Sequence, residues 1–312
     1  MRFLAVWAVA VFSLYCGASS IGESPYVFEQ GLDVKVAGIT WLRTVTTPFH
    51  VEFPDRHYKV YTHLYDFAGV LPITKGDGGK YPHHRGLFIG WKDTRAGDQL
   101  VDTWSRSTSG GKAPGFQQWI EWTQLAAHAR EAIQTARIQW ASSGGASFME
   151  EMRTIRAFEA GDGLRAVDFT STLHSLGGTI ELRGDPQHAG MHVRMAQEVA
   201  ENEGETRFIL PAGARALEDD TVEGAWWVCA SMPVRGKRYW ALHMTSPKLP
   251  TGVPAYSIRK YGRFGAFFEP DIVEGKDFEA AFRIIWTETP LDQEQCDALY
   301  REFASAETGE SE

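Results

Sequence analysis

Phe282-Arg283-Ile284-Ile285-Trp286 places Phe282, Ile284 and Trp286 at every second position. A period of two buries one face of a pleated strand and leaves the other free. The pattern recurs outward along the chain. Val167, Phe169 and Leu173 share a parity, Ile138 and Trp140 alternate with Arg137 and Gln139, and Trp240, Leu242 and Met244 oppose Tyr239, Ala241 and His243. Turn signals separate the runs: Gly144-Gly145, Gly161-Asp162-Gly163, Gly177-Gly178 and Arg235-Gly236-Lys237. Strands joined by short Gly-rich turns, without intervening helices, predict an all-β fold, a large antiparallel β-sandwich. One short C-terminal amphipathic helix is expected from Leu291 to Ala304, followed by a polar tail from Thr308 to Glu312. Thr74 to Lys80 and Ser105 to Pro114 read as loops that rim or cover a site.

The chain has 312 residues, with 40 Asp+Glu against 31 Lys+Arg and a formal charge of -9. That balance weighs against nucleic acid and against an anionic membrane surface as partners. Hydrophobic residues at 43% and charged residues at 23% exclude a disordered chain. The 11 tryptophans imply either a large core or a surface that stacks on sugar rings, with Trp119, Trp122, Trp226 and Trp227 as candidates.

Met1-Arg2, the apolar run from Phe3 to Tyr15 and the small residues Gly17 to Ser20 read as a signal peptide over residues 1–20. A bilayer anchor needs about 20 apolar residues, more than this run supplies. A lipoprotein signal at Cys16 is disfavoured by the bulky Tyr15 before it. The expected product is a single β-sandwich domain over 21–312, periplasmic or extracellular, with no membrane span. It keeps Cys229 and Cys296, too few for a disulfide framework or a cysteine zinc site.

Two polar clusters carry the candidate chemistry. In Tyr81-Pro82-His83-His84-Arg85-Gly86, read as a strand, His83 and Arg85 share one side and His84 takes the other. In Asp185-Pro186-Gln187-His188-Ala189-Gly190-Met191-His192-Val193-Arg194, read likewise, His188, His192 and Arg194 project from a polar face, and Ala189, Met191 and Val193 from a buried one. Histidines and arginines on an apolar sheet are costly unless partnered or in a wet cleft. The bland readings are a core histidine with a structural salt bridge in the first cluster, and a solvent-facing sheet in the second. His188 and His192 stand about 13 Å apart on a strand rising about 3.3 Å per residue, too far to share one metal ion. No cofactor is expected, and a divalent metal at the histidines is the minority reading. A third segment, Tyr256 to Pro270, reads as a hairpin whose basic turn holds Arg259, Lys260, Tyr261 and Arg263. Its Glu269 lies beside aromatic residues that would raise its pKa. Phosphate-loop, Gly-x-Ser-x-Gly and His-Glu-x-x-His signatures are absent.

The pieces Tyr81-Pro82-His83-His84-Arg85-Gly86-Leu87-Phe88, Asp185-Pro186-Gln187-His188-Ala189-Gly190 and Tyr261-Gly262-Arg263-Phe264-Gly265 resemble a bacterial family labelled PmoA-like, or "methane oxygenase PmoA". A particulate methane monooxygenase subunit is a bundle of membrane helices, which this chain lacks after its first residues. The resemblance implies instead an exported protein of polysaccharide-degrading bacteria, with a sandwich like that of galactose mutarotases. It raises the expectation of a carbohydrate substrate, a small sugar or an oligosaccharide.

The resulting expectation is a carbohydrate-active enzyme doing acid/base chemistry: epimerisation, elimination or hydrolysis. His83, His188 and His192 are the catalytic candidates. Arg85, His84, Arg194, Tyr261 and Arg263 are the substrate-binding candidates. The alternatives are a non-catalytic carbohydrate-binding protein, in which tryptophans govern binding, and a metal-dependent hydrolase.

Overall fold

The computed structural model describes residues 30–309 and the two-residue strand Ser13–Leu14. The segment 1–20 expected to be a signal peptide, Cys16 included, otherwise lies outside the described residues. The alternating runs form a ten-stranded and a twelve-stranded sheet. Every hydrogen-bonded pair is antiparallel except Gln99–Asp102 with Ala113–Ala127, which run parallel. The expected all-β sandwich is therefore the architecture observed.

The twelve-stranded sheet is centred on Ala113–Ala127, Glu131–Ser142, Ser147–Glu159, Arg165–Ser175 and Phe278–Thr287. Its turns fall where the glycine signals place them. Arg235 and Gly236, at φ 52° and 77°, form the tight turn between Trp227–Val234 and Lys237–Thr245. Two positive φ values in succession suit the right-handed twist of the flanking strands. The ten-stranded sheet gathers remote segments. Leu87–Trp91 pairs with Ala189–Arg194, which pairs with Arg263–Phe267, which pairs with Ala255–Arg259.

Inward side chains of both sheets meet in one core, with Ile138, Trp140, Phe169, Ile284 and Trp286 from one and Leu87, Ile89, Trp91, Met191 and Val193 from the other. One ion pair is buried there. Glu151 accepts from Arg153 Nε at 2.8 Å and Nη2 at 2.7 Å, from Trp140 Nε1 at 2.9 Å and from Ser171 Oγ at 2.8 Å. Arg153 Nη1 reaches Val60 O at 2.6 Å, beside the first sheet.

The C-terminal helix spans Gln293–Thr308, beginning two residues later than expected and running further. Asp292 sets the start: its side chain accepts from Gln295 N while the Gln295 side chain accepts from Asp292 N. Cys296 and Phe303 pack on Trp227, Cys229, Leu242 and Ile285, the outward side of the twelve-stranded sheet. Both cysteines are free and buried. No described helix is long and apolar enough to cross a membrane.

On the ten-stranded sheet the same alternation turns Phe88 away from the core. It joins Val45, Tyr61 and Trp104 in a separate cluster. His192 shares that outer face, opposite Gly265. A Cβ on Gly265 would lie 2.5 Å from His192 Cα and 2.8 Å from its ring carbon Cγ. Gly265→Ala is therefore expected to cost about 1–3 kcal/mol by overpacking, read as a lower urea midpoint.

Candidate active site

Strand register builds the floor of the site. Phe88, His192, Gly265 and Ser257 form one row across four strands. Arg194, Arg263 and Arg259 form the next. The expected polar face of the second cluster is thus met at His192 and Arg194. Two parts of that reading need correction. The strand begins at Ala189, so His188 stands in the preceding turn. The face is not wet either: His192 and Arg194 are fully buried, because loops cover the sheet here.

The first cluster is not a strand. Residues 81–86 turn ahead of Leu87–Trp91, with His84 N donating to Tyr81 O at 3.0 Å. Pro82 has no N–H to give a ladder, and Tyr81 sits at φ 57°. His83 and His84 consequently lie together, ring centroids 4.1 Å apart, rather than on opposite faces. Arg85 points elsewhere. Its guanidinium binds Asp77 Oδ1 at 2.9 Å, Asp55 O at 3.3 Å and Pro82 O, which fastens three loop segments together.

Trp104 is the hub. Its ring lies 4.8 Å from His192, 4.9 Å from Phe88, 6.0 Å from His84 and 6.5 Å from His188. Lys59 Nζ stands over Phe88 at 4.2 Å and Trp104 at 5.1 Å and donates to His83 O at 2.9 Å. At the rim, His188 Nδ1 meets both oxygens of Asp185, at 2.8 and 3.0 Å. The His188 side chain is 40% exposed. Tyr81 packs on Tyr261 at 4.5 Å, and His84 stacks under Tyr261 at 5.9 Å with planes 8° apart.

Arg263 occupies the floor. It donates from Nη2 to Gln187 Oε1 at 2.6 Å and Ser257 Oγ at 3.0 Å, and from Nε to the Tyr261 hydroxyl at 3.0 Å. Its Nη1 lies 2.9 Å from His192 Nδ1. A guanidinium only donates, so Nδ1 accepts. Nε2 of His192 then carries the proton and donates to Ala189 O at 2.9 Å. Both nitrogens are engaged, Nδ1 by Arg263 and Nε2 by the Ala189 carbonyl. Arg194 donates from Nη1 to Met195 O at 3.0 Å and to Tyr261 O. Its Nε and Nη2, and Nδ1 of His84, are buried without a partner.

Burial, then the cations Lys59 and Arg263 together with His188, pushes His83 down to about 3. Burial and Arg263 hold His84 and His192 well below the ordinary histidine value. Burial and Arg85 likewise hold Lys59 far below an ordinary ammonium. Burial raises the Asp185 carboxyl, but the His188 hydrogen bond and charge, the Gln187 N–H and Lys92 outweigh it, and the net shift is downward. Buried neutral histidines destabilise the fold in acid. Once the pH falls below 6.5 the unfolded chain takes up protons that the native His83 refuses until about pH 3. Stability is expected to be full above pH 6.5 and to decline toward pH 3, as urea midpoints across that range would register.

The remaining candidates separate. Ala255–Arg259 and Arg263–Phe267 form the expected hairpin, but Arg263 is buried rather than solvated. Glu269 is exposed and accepts from Gly184 N at 2.9 Å, a loop contact. Trp227 is buried, and Trp119, Trp122 and Trp226 are half-buried against the core. Among the described residues no three His, Cys, Asp or Glu side chains gather as a metal-ligand set. A groove lined by Arg130, Glu131, Arg156 and Glu159 lies on the other sheet, its charges paired with one another. Lys59, Trp104, Gln187 and Ser257 belong to the site without any local signal in the sequence. Asp185 had one: Asp-Pro-x-His favours a turn that returns the histidine to the carboxylate, here with His188 N on Asp185 O at 2.8 Å.

The family model that matches residues 32–301 is described as a family of unknown function, DUF6807. This overturns the PmoA-like resemblance, which rested on short turn-and-strand pieces. No curated protein matches the chain. Among solved structures, a putative kojibiose phosphorylase from human microbiome is similar at 9% identity and TM-score 0.38, over 87% of this chain. This chain spans about a third of that protein, 32% of its length. A GalM/aldose epimerase homologue from C. elegans is similar at 6% identity and TM-score 0.35, over 83% of this chain and 95% of its own. HI1317 is similar at 6% identity and TM-score 0.32, over 89% of this chain and 100% of its own. At such scores the likenesses do not bear on function.

Proposed function

We propose that this chain, which belongs to the DUF6807 family, is an enzyme that moves protons on a sugar or a related polyhydroxylated substrate. The observation that carries the reading is the His188–Asp185 pair at the rim. A carboxylate on Nδ1 fixes the tautomer, so Nε2 of His188 is the working nitrogen. His83 is the second proton-transfer group. It is half-buried and held neutral at physiological pH, a weak base whose N–H can serve as the acid toward a developing oxyanion while His188 takes the proton from carbon. The two histidines belong to one cluster through Trp104 and His84. Tyr81 and Tyr261 offer flat apolar surface for a sugar ring beside these groups. The reaction is epimerisation or elimination: a base removes a proton from one substrate carbon, and an acid either returns a proton to that carbon's other face or protonates the oxygen leaving the neighbouring carbon.

The test is a panel of glycosides, aldoses and sugar acids, with turnover followed by proton exchange at carbon in deuterium oxide. Exchange by the wild-type chain, lost in the His188→Ala and His83→Ala variants, is expected. Full activity in both variants would overturn the assignment.

A further inference from the structure

The three arginines of one cross-strand row are unequally neutralised. Arg259 has a carboxylate, Asp220, at 2.8 Å. Among the described residues Arg194 is bonded only to backbone carbonyls and Arg263 only to neutral side chains, and the carboxylates that act on them, Glu203 and Asp185, do so without an ion pair. Both are essentially buried, at 0% and 1% exposure. Like charges side by side on a sheet repel, and a buried charge without a counter-ion is expensive. Elsewhere the fold meets that cost: Arg153, equally buried, is held by both oxygens of Glu151. Nε and Nη2 of Arg194 are also orphaned donors, as a fork waiting for an oxyanion would be. What covers Arg194 is the half-buried ring of Tyr261, 5.2 Å from its guanidinium carbon, with Tyr81 packed on that ring.

We infer that Arg194 and Arg263, beneath Tyr261, form the subsite for the carboxylate of an acidic sugar, with Tyr261 moving aside to admit it. The inference rests on the proposed proton-transfer reading and names its substrate class. A planar guanidinium fork matches a carboxylate in both shape and charge. Neutralising that carboxylate also stabilises the negative charge left when a base removes the proton from the adjacent carbon. His84, whose Nδ1 is buried without a partner, stacks on the same tyrosine.

Calorimetry on the full chain tests this with D-glucuronate and D-galacturonate against D-glucose and D-galactose, with glucose 6-phosphate as a further arm. The uronates are expected to bind about tenfold or more tightly than the neutral sugars, a preference abolished in Arg194→Gln and reduced but not lost in Arg194→Lys, which keeps the charge without the fork. The wild-type comparison stands even where a variant fails to fold. Equal binding of neutral and acidic sugars, preference for the phosphate, or an unchanged preference in Arg194→Gln would each overturn the subsite. His188→Asn separates the two ideas. Uronate binding without proton exchange in any protein keeps the subsite and rejects the enzyme. Exchange on neutral sugars alone keeps the enzyme and rejects the subsite.

Discussion

His188→Ala is expected to lower turnover by about two to four orders of magnitude while leaving the thermal midpoint nearly unchanged. The side chain stands at the rim, 40% exposed, so its loss opens no cavity in the core. Asp185→Asn should retain the contact but not the charge. An asparagine amide that donates to Nδ1 favours the other tautomer, with the proton moved to Nε2. The expected sign is a loss in kcat larger than any change in KM. A structural role for the pair would instead lower the thermal midpoint.

Glu151→Ala should produce the largest loss of stability, about 3–5 kcal/mol, because it leaves Arg153 charged and unpaired in the sandwich core. Glu151 accepts four hydrogen bonds, and Arg153 also fastens the backbone at Val60 across the core. The double variant Glu151→Leu with Arg153→Met should recover most of that loss, since apolar groups of similar size need no counter-charge. Urea unfolding of the single and double variants decides the matter. A single variant as stable as the parent would show that solvent reaches the pair.

The sheets were legible because period-two alternation is a local property. Phe282, Ile284 and Trp286 face inward as their spacing demands, and so do Met191 and Val193. The turn at Arg235-Gly236 and the 255–267 hairpin were equally plain. The parity of His192 and Arg194 was also legible, but their burial was not, since Trp104, which packs on His192, and Tyr261, which lies over Arg194, come from other segments of the chain. Tyr81–Gly86 misled because its polar alternation looked strand-like, although Pro82 and the left-handed Tyr81 break the ladder. Lys59 and Trp104 were invisible for a different reason. Each acquires its role only when segments far apart in sequence are superposed on one sheet face, and no spacing encodes that.

Gln187 presents one carbonyl oxygen to Arg259, Arg263 and Ser257 together. An amide there supplies geometry without charge. A glutamate would have nearly the same outline but would act as a tethered counter-ion, satisfying the guanidiniums from inside and making the protein its own competitor for anything acidic. The –NH2 that distinguishes the two residues is thus what leaves Arg263 without a tethered counter-charge and open to an acidic guest.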